Sequence, residues 1–560
     1  MAEEGAREEL LNILRYSGPV ALVNLCQAAT QVIDLAVIGR TLPFPCLAAA
    51  CLCLVLSHLL HEPAAFIVAN AMTTLCTDAF HARATAYAPA AFGAADYLKG
   101  ALVFCLLLSL PVGVLVTCSP ALLSLLRLPD EVLAAAHVFA RWSALAVTPA
   151  LLQSMLLGFL RAQRRLHSTA TIFIGAVGCN LTLALLLVPA FGLQGSVWAT
   201  ALTRYFAVLL LVLYHRDALP FTAAECLHDG ARQVKDALRP LLPPLLAAEA
   251  AAPPATPLGV ELRATQPPLA MLTGLYFASV LPATLRIGGF QLLTLLAFPL
   301  SNDPKQSVAV SLITLLLQAS LSLCMGIQMA TVMLTTRHLY RYRFALARRT
   351  MRLAALPLLA IALLVGAASY AFRQSLASPF CADAEVADLV ASLSWYLAPM
   401  LLLKASSGLH GQYLAVTGRG VVGTYILVVV PWGVGLPAAY FYAAAYGGGA
   451  LSLLRVHTAA WLLTAAGFAI CYSRILPASR QPPTAALSAA TAPLPAPSAA
   501  ANDETMALST PLLQGGVSSA SAPSTTPAPH PAAAPAAPAA APACTGTRAA
   551  PRAGSPGASL

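Results

Sequence analysis

Charge is scarce in this chain. Aspartate, glutamate, lysine and arginine make up 10% of its 560 residues, against about 25% in an ordinary soluble domain. With 58% hydrophobic residues, the apolar surface exceeds what one buried core can hide, which excludes a soluble globular protein. Period-two alternation is absent, which argues against a membrane β-barrel. There is no glycine-rich phosphate loop, nucleophile elbow or recurring metal-ligand spacing, and almost no soluble stretch long enough for a domain, so an enzyme is not expected. The N-terminus, MAEEGAREELLNILR, lacks the basic cap and cleavage site of a secretory leader and the acid-poor, Arg- and Ser-rich character of a transit sequence. The thirteen cysteines are scattered, mostly within apolar stretches, and read as small hydrophobes rather than a disulfide framework.

What is present is apolar segments of about 20 residues recurring nearly end to end, each long enough to cross roughly 30 Å of hydrocarbon as a helix. They fall near residues 17–38, 46–72, 98–118, 138–160, 168–189 and 193–214, then near 270–300, 306–334, 351–372, 388–416, 421–445 and 449–473. The expected fold is an all-α polytopic membrane protein of about twelve transmembrane helices in two six-helix lobes. Residues 1–16 form an N-terminal segment, 17–214 the first lobe, 215–269 a linker carrying AAAPPATPLG, and 270–473 the second lobe. Residues 474–560 are dominated by Ala, Pro, Ser and Thr, a composition unable to offset its ordering entropy, and are expected to be a disordered tail.

The net charge of +10 is explained by orientation rather than by nucleic acid. With the N-terminus inside, inner loops carry Arg83, Lys99, Arg161, Arg164, Arg165, Arg337, Arg341, Arg343, Arg348, Arg349, Arg352 and Arg419, while outer loops carry Arg40, Arg127, Lys305 and Arg373. This asymmetry puts both termini in the cytoplasm. An internal echo is also visible: Glu131-Val132 before the fourth span matches Glu385-Val386 before the tenth, and Leu160 and Ala162 map onto Leu414 and Val416. Parallel repeats of this kind are a transporter architecture with the substrate site between the halves.

Charges inside the spans are the candidate working residues, because each costs free energy to insert. Asp34 stands in the otherwise uncharged span between Arg15 and Arg40; it either reaches headgroup water or works in a polar cavity. His58, His61 and Glu62, at i, i+3 and i+4, share one helix face. They can bind zinc, relay protons, or simply hydrogen-bond beside a kink at Pro63. Arg286 and Lys404 sit near mid-span, each at a cost of about 2.5 to 3.5 kcal/mol, and either snorkel or make a cavity electropositive. Arg204 and Arg141 are potential partners for Asp34 or Glu62.

Several motifs resemble the multidrug and toxic compound extrusion (MATE) family, particularly its eukaryotic branch. They are Val32-Ile33-Asp34-Leu35 with Gly39-Arg40, Thr74-Leu75-Cys76-Thr77-Asp78-Ala79-Phe80-His81-Ala82, Leu160-Arg161-Ala162-Gln163, Asn180, the Phe290–Ala297 run with Asn302 to Pro304, and Gly418, Gly423 and Gly435-Leu436-Pro437. The resemblance implies two six-helix bundles around a central cavity, alternating access, and export of organic molecules in exchange for H+ in preference to Na+, with no other cofactor. By the same resemblance the second lobe departs from the family: positions where relatives keep acids hold Arg286, Gln291 and Lys404. The proton-coupling candidates are therefore Asp34, Glu62 and Asn180. The substrate-cavity candidates are Arg286, Gln291, Lys404, Arg204 and Gln153, and their charge favours organic anions. A monomer in the plasma or vacuolar membrane is expected, with an organic solute and the lipid bilayer as partners. The alternatives are a passive carrier or scaffold that has lost coupling, and a lipid flippase.

Overall fold

The computed structural model describes residues 2–85, 92–126, 128–219, 267–301, 303–340, 343–381, 383–416, 420–446 and 449–478. Most of the expected linker, from 220 to 266, and the tail from 479 onward lie outside the described residues, as do the side chains of Arg286, Asp78 and His81. Among the described residues every regular element is helical, and twelve helical segments are long and apolar enough to cross a membrane. Twelve crossings return the chain to the face it left, called here the terminal face.

The first lobe opens with α1 (Ala2–Thr41). No proline or glycine interrupts the chain between Gly5 and Arg15, so residues expected as a separate N-terminal segment continue the helix of the first span. The second span is α2 (Phe44–Leu60) and α3 (Glu62–Thr85), the third α4 (Ala94–Cys118) and the short α5 (Pro120–Ser124). The fourth is α6 (Asp130–Ser143) and α7 (Val147–Ala162), and α8 (Leu166–Phe191) and α9 (Leu193–Tyr214) are the fifth and sixth. In the second lobe, α10 (Pro268–Ser301), α11 (Pro304–Tyr340) and α12 (Phe344–Ala371) are followed by α13 (Ala384–Leu393) with α14 (Leu397–Val416). The eleventh span is α15 (Gly420–Val428), a π-helical turn over Val429–Gly435 and α16 (Leu436–Tyr446), and α17 (Gly449–Ala478) closes the bundle.

Prolines set the breaks. In the second span the helix is interrupted at His61, just before Pro63, because the proline ring lacks an N–H and crowds the preceding turn. The internal echo reappears as geometry: the fourth span narrows to a 3-10 turn at Ala144–Ala146 ahead of Pro149, and the tenth does the same at Ser394–Tyr396 ahead of Pro399.

The lobes meet chiefly where α1 packs along α11. Small residues permit this: a Cβ on Gly326 of α11 would lie 2.5 Å from the Ala21 side chain of α1 and 2.7 Å from its backbone nitrogen. Apolar side chains of both lobes form one continuous cluster, in which Leu35, Ile38 and Leu47, toward the face opposite the termini, join Val308, Leu312 and Phe380. The described cysteines are free thiols.

Candidate functional site

Among the described residues, two polar sites bear on the candidate working groups. The first is wholly within the first lobe. Asp34 of α1 points between α8 and α9, where its Oδ1 accepts a hydrogen bond from Asn180 Nδ2 at 2.9 Å and its Oδ2 accepts one from the Thr200 hydroxyl. Asn180 is fully buried and also donates to the Thr30 carbonyl at 3.3 Å. An ionised carboxylate only accepts, so both donors suit the charged form. A hydroxyl can also accept, so the Thr200 bond can reverse when Asp34 takes up a proton. Asp34 is therefore tied to an interior cluster rather than extended to headgroup water. Thr200 escaped the sequence reading, although it lies four residues, about one helical turn, before Arg204.

Arg204 does not lock this carboxylate. Its Nη1 donates to the Ala146 carbonyl at 3.3 Å, in the turn ahead of Pro149 where the missing N–H leaves carbonyls in need of donors.

The second site is a cavity of about 280 Å³ between the lobes, spanning the middle and the terminal-face half of the bundle. Gln291 and Lys404, expected as substrate-cavity candidates, line it, and so does Glu62, expected as a proton-coupling candidate. Gln153 and Arg204, also expected there, do not: Gln153 precedes the lining residue Ser154 by about 100° around α7 and is buried within the lobe, and Arg204 serves the broken fourth span. Where Arg286 points lies outside the described residues.

Arg161 lines the same cavity. Sequence had placed it in an inner loop as an orientation signal, but it is the penultimate residue of α7, and its Nη2 reaches Asn24 Oδ1 of α1 at 3.4 Å. Asn24, Gln27 and Gln31, spaced at three and four along α1, present an amide stripe to the cavity. That spacing was a readable signal. Across from it, Gln328 of α11 donates to the Ala405 carbonyl of α14 at 2.8 Å.

The His58, His61 and Glu62 group is split by the break in its helix. His61 turns back, its Nδ1 lying 2.6 Å from the Ser57 carbonyl. His58 stays beside Glu62, with Nε2 to Oε1 3.4 Å, and its Nδ1 is 3.5 Å from Gln291 Nε2 across the lobe boundary. Of the three groups expected on one face, His58 and Glu62 meet across the interrupted turn, while His61 uses its Nδ1 on the Ser57 carbonyl. Among the described residues no group of three His, Cys, Asp or Glu side chains is placed to hold a metal ion.

In the second lobe the Lys404 Nζ stands 5.2 Å from the ring centroid of Trp461, and both line the cavity. The charged lining among the described residues is thus Arg161 and Lys404 against Glu62, set in amides. At about 280 Å³ it is close to the lower end of small-molecule pockets, roughly 300 to 1,000 Å³.

The MatE family profile matches residues 19–186 and 288–441. The eukaryotic MATE transporter AtDTX14 superposes with a TM-score of 0.65 at 21% identity, covering 84% of this chain and 96% of that one. An inward-facing multidrug resistance MATE family transporter of the MOP superfamily superposes with a TM-score of 0.63 at 16% identity, covering 84% and 100%. A MOP superfamily transporter from Pyrococcus furiosus, whose binding pocket is described as reversed in polarity, gives 0.59 at 17% identity, covering 85% and 97%. No curated protein sequence is matched. With the family profile covering more than half of a chain that has twelve apolar helices and this fold, the protein belongs to the MATE family of integral, multi-pass membrane transporters.

Proposed function

We propose that the chain is a proton-coupled antiporter that exports small organic solutes and favours organic anions. The observation that carries this reading is the charge of the cavity: two basic side chains from opposite lobes, Arg161 and Lys404, and one carboxylate, Glu62. In a concave cavity with low-dielectric walls such an excess is felt more than on a flat surface, so it weighs against cations. A guanidinium carries five N–H donors, of which Arg161 engages Asn24 with one, so it has capacity for a carboxylate or phenolate. The reversed pocket polarity described for the Pyrococcus furiosus transporter is consistent with such variation among relatives.

Asp34 is the proton carrier in this reading, because its two partners serve the ionised form and one of them can turn to serve the neutral form. Asp34, with Asn180 in support, lies apart from the cavity lining, whereas Glu62, beside His58, is a second titratable group on the cavity wall itself. The basic inner loops favour a cytoplasmic terminal face, and a monomer in the plasma or vacuolar membrane is part of the same proposal.

A second reading is a passive carrier. It is favoured by the lack of any described second-lobe carboxylate among the cavity-lining residues. Uphill flux into proteoliposomes, driven by an imposed pH gradient and abolished by a protonophore, separates the two. Comparing an organic acid with an organic cation in the same vesicles tests selectivity. Lys404→Gln is expected to lower acid flux and leave cation flux unchanged or raised; acid flux indifferent to it, together with robust cation exchange, would remove the anion reading.

A further inference from the structure

We propose that Trp461 and His457 are the positioning residues for Lys404, and that this relay sets how strongly the cavity selects anions. The proposal rests on the reading of the cavity as an anion site, and it assigns a task to two aromatic side chains of the twelfth span.

His457 and Trp461 are four residues apart on α17 and so share a face of the helix. The Trp461 indole Nε1–H donates to His457 Nε2 at 2.9 Å. An indole nitrogen only donates, so Nε2 must carry the lone pair, and the imidazole is the neutral form with its proton on Nδ1. The two rings stand nearly perpendicular, at 79° with centroids 6.2 Å apart, which fixes the plane of the indole. His457 is 1% exposed and Trp461 5% exposed, so neither ring has room to take up another orientation at low cost. Lys404 Nζ lies over that same indole face, 5.2 Å from its centroid, on α14.

The contacts therefore run from a buried residue that does not line the cavity, through an indole, to an ammonium that does. A lysine at this depth loses hydration, and the long stem gives it many rotamers. The negative face of the indole replaces part of that hydration and selects the rotamers that keep the charge at the cavity wall. Without the acceptor the buried indole N–H is left unpaired, a cost that favours a shifted ring and moves the platform under Lys404. A cation–π contact corresponds to a factor of roughly 2 in an equilibrium at an exposed site and roughly 30 at a desolvated one.

The test uses the full chain in proteoliposomes of neutral lipid, with benzoate and tetraethylammonium as probes and their flux ratio as the readout. His457→Phe keeps a ring and removes the acceptor, and it is expected to lower the benzoate preference by about three- to tenfold. His457→Gln restores an acceptor and should stay within about twofold of wild type. Trp461→Leu should fall as far as Lys404→Gln, and Trp461→Phe, which keeps a π face without the N–H, should lie between. If Lys404→Gln lowers the ratio while His457→Phe and Trp461→Phe leave it at the wild-type value, Lys404 needs no positioning and the proposal fails with the anion reading intact. If Lys404→Gln leaves the ratio unchanged, both fail. If His457→Gln loses as much preference as His457→Phe, the hydrogen bond is not the cause and the proposal is overturned. Melting temperatures of the purified variants identify any that lose the fold, and the conservative pair His457→Gln and Trp461→Phe carries the test in that case.

Discussion

Replacing Gly39 by alanine should open the face of the transporter opposite its termini. Gly39 lies near the end of α1 against the chain that leads into α13, and a Cβ there would be 1.6 Å from the Phe380 carbonyl oxygen and 2.7 Å from its carbon. Contacts below 3.0 Å do not occur, so the 378–380 stretch must withdraw by roughly 1.4 Å, from 1.6 Å to 3.0 Å. Neighbouring Arg40 would then lose its bonds to the carbonyls of Pro379 and Ser378, now 3.2 and 3.3 Å. Overpacking of this kind costs typically 1 to 3 kcal/mol, and the two exposed hydrogen bonds add about 0.5 kcal/mol or more each. A net penalty of about 2 kcal/mol on the closed arrangement shifts its equilibrium with an open one roughly 30-fold. Native cysteines report the change. Cys381 follows Phe380 directly and Cys51 is 1% exposed, both in the apolar cluster shared by the lobes. Cys105, fully buried in a separate cluster that does not contain the Gly39 contact, is the control. Labelling with an impermeant maleimide, read by peptide mass spectrometry, should rise about tenfold or more at Cys51 and Cys381 and stay unchanged at Cys105. Wild-type reactivity at both positions in a folded Gly39→Ala protein would refute the reasoning.

Three further outcomes are expected. Asp34→Asn keeps a polar side chain among Asn180 and Thr200 but removes the titrating group, so uphill flux driven by a pH gradient should be lost while the protein still folds and binds substrate; full retained coupling would reduce Asp34 to a structural role. On the terminal face, Glu9 Oε1 accepts from His338 Nε2 at 2.9 Å and from the Thr350 hydroxyl at 2.8 Å, tying α1 to α11 and α12. Glu9→Gln should weaken this tie by about 1 kcal/mol and raise accessibility of the cavity from the terminal face about fivefold, measured as labelling of a cysteine placed at Ser322; no change there would show that the contact does not hold the lobes. At the opposite face, Lys305 bonds Asp383 at 3.0 Å and Glu385 at 2.7 Å, and the Lys305 ammonium holds the Asp383 carboxyl below the usual carboxylate range. A depressed carboxylate contributes stability above its unfolded value, near pH 4, and loses it as pH falls through the folded one. The melting curves of wild type and Lys305→Met should differ at pH 7 and draw together as pH falls below the ordinary carboxylate range; a constant difference across that range would separate the pair from acid stability.

The spans were legible because crossing a bilayer is a chain-local demand: some 20 consecutive apolar residues suffice whatever lies beside them. The same holds for Asp34, an isolated carboxylate whose insertion cost marks it before any partner is known, and for the prolines that break the second, fourth and tenth spans. Arg161 was misplaced for a specific reason. A basic residue at a span end reads as an orientation signal in one dimension, while its long side chain can extend along the helix into a cavity. Outside α1, whose amides at Asn24, Gln27 and Gln31 mark its cavity face, the face that a span turns toward its neighbours was hard to read, since most of these helices are apolar on nearly every side. Contacts between residues remote in sequence, such as Asp34 with Thr200, Lys404 with Trp461, and Gly39 with Phe380, come into being only when the helices pack. That packing depends on shape complementarity between surfaces that composition does not distinguish.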